Sequence, residues 1–249
     1  MKYKIRNFCL TIFGRFKLFL FGDKSGVSIW WLNDRMPLFD DISKIKFQGF
    51  TNSHKNLAAG RKVYEDLVNE KSFTNFPTIW NAGANFTSLL FSYVSEVKPK
   101  VIVETGVANG ITTRCISKAI DYSNCEFHSF DINLECSKVN IDSKNWYFHH
   151  LETSNRNSEL RDIVESLPEI DLWIHDSNHH YNWQKFEYEL SLKKLSNTGI
   201  LMSDDVDFSK AWGELSDMND VSFLCAVLDS RKCFGIAQKK NSIVEAKIV

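Results

Sequence analysis

The sequence lacks several features that would have narrowed its function at once. None of its six cysteines stands in a Cys-x-x-Cys pair, which argues against a zinc site and favours buried free thiols in a reducing cytoplasm. The formal net charge is only -1, so overall electrostatics give no reason to expect a nucleic-acid partner. There is no internal repeat and no low-complexity segment. With 43% hydrophobic residues among 249, the chain is long enough to bury a substantial core.

A long apolar run is missing from the N-terminus as well. The charges before Asp23 are all positive, and apolar residues recur at helical spacing from Ile5 to Phe19. Arg15 and Lys17 interrupt this run, which disfavours both a membrane-spanning helix and a signal peptide. Two alternatives stay open: a basic amphipathic helix lying peripherally on an anionic membrane through residues 1–22, or a helix that packs on the domain or on a second copy in a homo-oligomer.

Strands and helices alternate through the rest of the chain. The predicted strands are Val101–Glu104, Glu126–Asp131, Trp146–His150, Asp171–Asp176, Gly199–Ser203, Val221–Leu228 and Cys233–Lys239. Such alternation predicts an α/β fold: a Rossmann-like, doubly wound sheet, mostly parallel, with seven strands. The last two runs are joined by a short polar segment, which predicts a C-terminal antiparallel hairpin. We expect residues 1–52 to form the basic extension and loops, and residues 53–249 the α/β domain.

Smaller elements follow from the same patterns. Helices are predicted over Ser53–Glu70 and Asn81–Val97, the latter ended by Pro99. Later helices are expected at Ile111–Ile120, Leu134–Ile141, Ser158–Ser166 and Asn182–Leu195, and a turn at Asn197–Gly199.

The most informative segment is Val101-Ile-Val-Glu-Thr-Gly-Val-Ala-Asn-Gly110. An apolar strand ends at an acid, a loop carries two glycines, and a helix begins at once, which is the layout that holds a nucleotide-like ligand. Asp131 ends the next strand about 20 residues further on, where an acid holds ribose hydroxyls in such folds.

Acids stand at the ends of four predicted strands. Because the carboxyl ends of parallel strands share one edge, we expect these acids to converge there: Glu104, Asp131, Asp176 and the pair Asp204-Asp205. Clustered carboxylates repel one another and lose solvation, so they need ligand hydroxyls, a cationic ligand or a metal as partner. Oxygen ligands alone favour Mg²⁺ or a similar hard cation.

In this order the motifs carry a family resemblance. Glu104-Thr-Gly106-Val-Ala-Asn-Gly110 resembles the glycine loop of class I S-adenosylmethionine-dependent methyltransferases. The segments Asp171–Tyr181 and Leu195–Asp205 are similar to motifs of small-molecule O-methyltransferases, including the macrocin O-methyltransferase type. The resemblance runs from about Lys98 to Lys239, a little over half of the chain.

The resemblance implies roles for individual residues. Glu104, Gly106, Gly110 and Asp131 would bind S-adenosylmethionine, with Gly106 near its methionine end and Asp131 at its ribose. In metal-using relatives the acids at the positions of Asp176, Asp204 and Asp205 hold Mg²⁺. Such a metal binds the acceptor hydroxyl and lowers its pKa.

The Asp-Gly-Asp-His motif of the relatives is altered here. Ser177 and Asn178 replace the glycine and the second acid, so Asn178 cannot act as a general base. His179, with an ordinary pKa near neutrality, is the nearest substitute, and we assign the catalytic role to His179 and Asp176. A purely structural hydrogen bond of His179 remains the alternative. His175 is expected to be a hydrogen-bonded core or interface residue.

Three functions follow, in order of preference. The first is S-adenosylmethionine-dependent O-methylation of a small-molecule or glycan hydroxyl, assisted by Mg²⁺ in the metal-using variant. The second is a methyltransferase-like binding module without catalysis, suggested by Ser177 and Asn178. The third is a nicotinamide-dependent oxidoreductase, which the absence of a Gly-x-Gly-x-x-Gly loop disfavours.

Overall fold

A computed structural model describes residues 27–70, 76–139, 141, 143–229 and 232–240. The basic amphipathic helix expected in residues 1–22 lies outside this range, and so does Cys9. The five other cysteines are free and buried, as predicted. Within the described residues, no helix is long and apolar enough to cross a membrane.

One sheet forms the centre of the fold, with strand order β1-β7-β8-β6-β5-β2-β3-β4. The strands are β1 (Leu38–Phe39), β2 (Val101–Thr105), β3 (Glu126–Asp131), β4 (Trp146–His150), β5 (Ile170–His175), β6 (Leu195–Ser203), β7 (Val221–Asp229) and β8 (Lys232–Lys239). Strands β2 to β6 pair in parallel, and β8 runs antiparallel to both β6 and β7. The seven predicted strands and the C-terminal antiparallel hairpin are therefore confirmed.

The eighth strand, β1, was not predicted. It pairs in parallel with β7 through Leu38 and Phe39. Two residues are too few to show the alternation by which a strand is recognised in a sequence.

The helices flank the sheet. They are α1 (Ile29–Asn33), α2 (His54–Asn69), α3 (Ala84–Val97), α4 (Ile111–Ala119), α5 (Arg156–Ser166), α6 (Tyr181–Lys194) and α7 (Ala211–Glu214). Two local predictions need correction. The helix expected at Leu134–Ile141 is a 3-10 helix of five residues, Leu134–Lys138. The turn expected at Asn197–Gly199 lies inside β6, where the register with β5 shifts between Ile170 and Leu172 so that the extra residues are absorbed as an irregularity.

Each face of the sheet carries its own core, because successive side chains of a strand point to opposite faces. On one side Ile102 packs with the apolar residues of α2, α3 and α4, including Leu57 and Phe86. On the other side Val103 packs with residues of α5, α6 and α7, such as Trp212. This doubly wound arrangement confirms the predicted fold class.

Residues 27–52, which the predicted division assigned to the extension, also contribute to the two cores. Leu32 and Met36 pack with Trp212, whereas Ile45 and Phe50 pack against α2 and α3. A domain boundary at residue 52 stays a prediction.

Candidate active site

A cavity of about 850 Å³ opens at the carboxyl ends of the central strands. The sheet order reverses beside β2, which lies between β3 on one side and β5 on the other. In open α/β sheets this switch point is where ligands bind. Residues that follow four strand ends, and one from the hairpin, are among those that line the cavity: Gly106, Asp131, Asp176, His179, Asp205 and Lys232.

Gly106 opens the loop after β2 in a conformation that favours glycine, with φ of +86°. A Cβ at this position would lie 2.1 Å from the carbonyl oxygen of Asp176, so no side chain fits. The Gly106 N–H donates to the carbonyl of Phe130 at 2.8 Å. The loop backbone is thereby pressed between the ends of β3 and β5 and exposed to the cavity.

Gly110 serves the same loop from its far end. It adopts φ of +71° at the start of α4, and a Cβ there would lie 2.5 Å from Cγ1 of Val139. Gly110 is not among the residues that line the cavity. Its position makes it a determinant of the loop's shape rather than a wall of the site.

Asp131 lines the cavity at the end of β3 and is bonded to the glycine loop. Its Oδ2 accepts hydrogen bonds from the backbone N–H groups of Val107 at 2.8 Å and Ala108 at 3.3 Å. Its Oδ1 accepts one from the N–H of Asn133 at 2.8 Å. The residue expected to meet a ribose therefore also holds the loop in place.

Glu104 lies beneath the loop, fully buried, and is not part of the cavity wall. Its Oε2 accepts hydrogen bonds from Thr113 at 2.8 Å and Ser129 at 2.9 Å. Burial raises the pKa of Glu104 to about 7, against the lowering effect of these hydroxyls. Glu104 thus anchors β2 to α4 and β3 from below.

The acids Asp176, Asp204 and Asp205 come together as predicted, but around a lysine. Lys232, at the start of β8, forms an ion pair with the buried carboxylate of Asp204, and its Nζ lies 3.5 Å from Oδ2 of Asp205. Burial alone would lower the pKa of Lys232, but the charges of Asp204, Asp176 and Asp205 more than offset burial and raise it. Burial raises the pKa of Asp204 to about 7, and burial together with Asp204 raises the pKa of Asp176.

This arrangement does not fit a magnesium ion as it stands. Mg²⁺ requires a nearly octahedral shell of oxygen atoms, and an ammonium group paired with one of the expected ligands opposes a second cation in the same space. In the part of the chain that the structure describes, no three carboxylate, imidazole or thiolate side chains are arranged to hold a metal. A metal-binding role for the three acids stays a prediction that the geometry does not support.

His179 lines the cavity, with its Nε2 3.4 Å from Oδ2 of Asp205. Burial is the main cause that lowers the pKa of His179 to about 2, and the neighbouring His175 lowers it further. The sequence-based expectation of a pKa near neutrality is therefore wrong, because it assumed a solvated side chain. His179 is a neutral imidazole in this site, suited to accept or donate a hydrogen bond and poor at retaining a proton.

A buried hydrogen-bond network at the cavity wall was predicted from the sequence only in part, through His175. The carboxylate of Glu187 on α6 is fully buried and accepts hydrogen bonds from His175 Nδ1 at 2.7 Å and Ser177 Oγ at 2.8 Å, and a further one from Thr105. His175 is thus a hydrogen-bonded core residue, as expected. Ser177 also accepts from Trp183 Nε1 at 2.8 Å. The altered residue Ser177 therefore has a structural role, tying the β5–α6 loop to α6.

Asn178, the other altered position, also lines the cavity. Its Oδ1 accepts a hydrogen bond from the backbone N–H of His180 at 3.0 Å, a turn contact just before α6. The amide therefore supports the loop that carries His179, and it is too weak a base to take a proton from an acceptor hydroxyl.

The cavity mouth is apolar. Ile79, Trp80 and Phe208 line the cavity although they are 63%, 56% and 40% exposed. Asn109 of the glycine loop donates hydrogen bonds to Asn81 at 2.7 Å and to the carbonyl of Phe76 at 3.2 Å, which fixes this segment against the loop. Large exposed apolar side chains around a polar floor mark a surface for a ligand that is itself partly apolar.

Comparison with known proteins agrees with a ligand site at the carboxyl ends of the strands. Residues 103–206 match the protein family described as a methyltransferase domain. No curated protein matches the chain. The O-methyltransferase TomG from Streptomyces achromogenes, solved with S-adenosylmethionine, is 11% identical with a TM-score of 0.52, over 76% of this chain and 91% of that one.

Two further structures share the fold. The S-adenosylhomocysteine-bound methyltransferase PaMTH1 from Podospora anserina is 15% identical with a TM-score of 0.54, over 76% of this chain and 91% of that one. MycE from the mycinamycin pathway, solved with Mg, S-adenosylhomocysteine and mycinamycin VI, is 12% identical with a TM-score of 0.53, over 75% of this chain and 55% of that one. These structures confirm the predicted fold, and the family match identifies residues 103–206 as similar to a methyltransferase domain.

Proposed function

We propose that this protein, whose residues 103–206 form a methyltransferase domain, transfers the methyl group of S-adenosylmethionine to a hydroxyl of a small-molecule acceptor. The observation that carries the proposal is that Gly106, Asp131, Asp176 and His179 all line one cavity. Gly106 and Asp131 suit the binding of a nucleoside with a charged tail. Asp176 and His179 suit the binding of a hydroxyl group.

The cofactor would lie along the glycine loop. Exposed backbone at Gly106 allows the methionine end to approach closely, since a side chain there is excluded. A ribose hydroxyl would donate to the carboxylate of Asp131, which the N–H groups of Val107 and Ala108 already hold in a fixed orientation. The cofactor would thus meet groups that need little rearrangement on binding.

The acceptor would enter past the apolar mouth. A partly apolar ring system would pack against Trp80 and Phe208 and present its hydroxyl to Asp176 and His179. Bound S-adenosylmethionine would supply the methyl group to the acceptor oxygen, its sulfur keeping the electron pair of the broken bond. The carboxylate of Asp176 would take the proton that the acceptor oxygen loses. Such a reaction gains most of its rate from alignment of oxygen, carbon and sulfur, which binding of both ligands in one cavity would impose.

The test is release of S-adenosylhomocysteine from S-adenosylmethionine in the presence of phenolic and sugar-bearing acceptors. We expect turnover with at least one acceptor, and a large loss of kcat with retained cofactor affinity in Asp176→Asn. Cofactor binding without turnover across the panel would instead support the non-catalytic binding module.

The structure argues against the alternative function of a nicotinamide-dependent oxidoreductase. Tyr181 and Lys185 stand in a Tyr-x-x-x-Lys spacing that such enzymes use, but the Tyr181 hydroxyl donates to Glu214 at 2.8 Å. Neither side chain lines the cavity. A quenched NADH fluorescence signal on mixing would be needed to restore this alternative.

A further inference from the structure

Hydrogen bonds of the neighbouring backbone fix the position of Lys232 at the tip of the hairpin. Its neighbour Cys233 donates its N–H to Oδ1 of Asp207 at 3.1 Å and accepts at its carbonyl from the N–H of Val206 at 2.9 Å. These bonds tie the start of β8 to the loop that follows β6. The side chain of Lys232 is 15% exposed and reaches the floor of the cavity.

The charge balance of the floor depends on this residue. Asp204 is buried and pairs with Lys232, while Asp205 lies next to it and is 27% exposed. The positive charge of Lys232 also lowers the pKa of Asp176, which opposes the raising effect of burial on that pKa. Clustered buried carboxylates need a cation, and here the chain itself supplies one.

We propose that Lys232 is the resident cation of this site, standing where metal-using methyltransferases hold a divalent ion, and that its ammonium group binds the acceptor oxygen directly. The part that concerns the acceptor rests on the proposed function, whereas the part that concerns the cation does not. An ammonium group offers three donors from a single point, so it holds one hydroxyl oxygen. The acceptor class is therefore a compound with an isolated hydroxyl, with no need for the vicinal pair that chelates a metal.

The cation claim is tested by titrating Mn²⁺ into the full chain with S-adenosylhomocysteine present, followed by electron paramagnetic resonance. Lys232→Met removes the charge but keeps the length of the side chain. Lys193→Met is the matched control, because Lys193 pairs with Glu165 at 3.6 Å on the surface of α6. We expect no saturable binding in the wild type or the control. Lys232→Met should bind Mn²⁺ saturably, at least about tenfold more tightly than the weakest affinity that the titration can detect, since removal of a nearby positive charge favours a cation there.

Two results would overturn the cation claim. One is saturable Mn²⁺ binding by the wild type that Asp204→Asn abolishes. The other is a folded Lys232→Met protein, judged by thermal unfolding, that gains no Mn²⁺ affinity. If Lys232→Met does not fold, the wild-type titration alone still decides the question.

The acceptor claim has a separate readout. Wild-type turnover should be unchanged by EDTA, and Lys232→Met should raise the KM for the acceptor at least about tenfold while the affinity for S-adenosylhomocysteine stays the same. Loss of turnover on EDTA treatment, restored by Mg²⁺, contradicts the proposal. Absence of cofactor binding by the wild type counts against the proposed function and leaves the Mn²⁺ result standing.

Discussion

The carboxylate of Asp131 accepts a hydrogen bond from the backbone N–H of Val107 at 2.8 Å, so the end of β3 holds the loop that leaves β2. The same oxygen accepts from Ala108 at 3.3 Å, and the other oxygen accepts from Asn133. Asp131, expected at the ribose, and the glycine loop, expected at the methionine end, are therefore joined by hydrogen bonds. A change to Asp131 should affect both parts of the cofactor site.

Asp131→Ala is expected to weaken binding of S-adenosylhomocysteine by about 10- to 100-fold, because a charged acceptor and the support of the loop are both lost. Asp131→Asn keeps one oxygen for the Val107 N–H, so its affinity for S-adenosylhomocysteine should lie between those of Asp131→Ala and the wild type. Isothermal titration calorimetry on the three proteins checks the order. Equal affinities would mean that Asp131 is only a turn residue.

Gly106→Ala is expected to lower the free energy of unfolding more than Gly49→Ala does. Both glycines have φ near +85°, so both alanines carry a similar backbone strain of about 1–2 kcal/mol. Only at Gly106 would the new Cβ also meet backbone, 2.1 Å from the Asp176 carbonyl, whereas nothing lies within 4 Å of it at Gly49. Urea unfolding of the two variants measures the difference, and equal losses would refute the close packing described for the loop.

Glu187→Ala should cost on the order of 3 kcal/mol of unfolding free energy, because His175, Ser177 and Thr105 would lose their buried acceptor together. The control is Glu189→Ala on the same helix, where the side chain is exposed. Chemical denaturation should separate the two variants clearly. Similar stabilities would show that water or another group replaces the Glu187 carboxylate.

Glu104 should make stability depend on pH in a predictable direction. Its folded pKa of about 7 lies above the ordinary value of about 4.3, so the folded state holds the proton more tightly than the unfolded state does. This contribution is complete below pH of about 4.3 and is lost as pH rises towards about 7, to a total of about 4 kcal/mol.

Glu104→Gln removes this titration while keeping a side chain of the same shape. The unfolding free energy of the variant should therefore fall less than that of the wild type across the same pH range, as measured by urea titrations at several pH values. Parallel curves for the two proteins would show that Glu104 titrates normally.

The outline of the site was predictable because it depends on strand ends, which apolar runs mark clearly. The convergence of Asp131, Asp176 and Asp205 follows from parallel pairing alone. Lys232 was not predictable, because its place beside Asp204 depends on the antiparallel register of β8 against β6. The burial that depresses the pKa of His179 likewise depends on packing that no local pattern shows.

The sequence contains an ambiguous indication of the buried contact between Glu187 and His175. Glu187 lies among the buried positions of α6, where an unpaired acid is unfavourable and a buried partner is therefore expected. Its partner His175 also departs from an apolar strand pattern. Two polar residues at buried positions of adjacent elements point to each other, but only the fold gives their 2.7 Å contact.

The central claim is that the loop at Gly106 holds S-adenosylmethionine. Calorimetric titration of the wild type and of Gly106→Ala with S-adenosylhomocysteine tests it most directly. We expect one site per chain with micromolar affinity in the wild type, and no measurable heat of binding in a folded Gly106→Ala protein. No binding by the wild type, or equal affinity in the two proteins, would contradict the account.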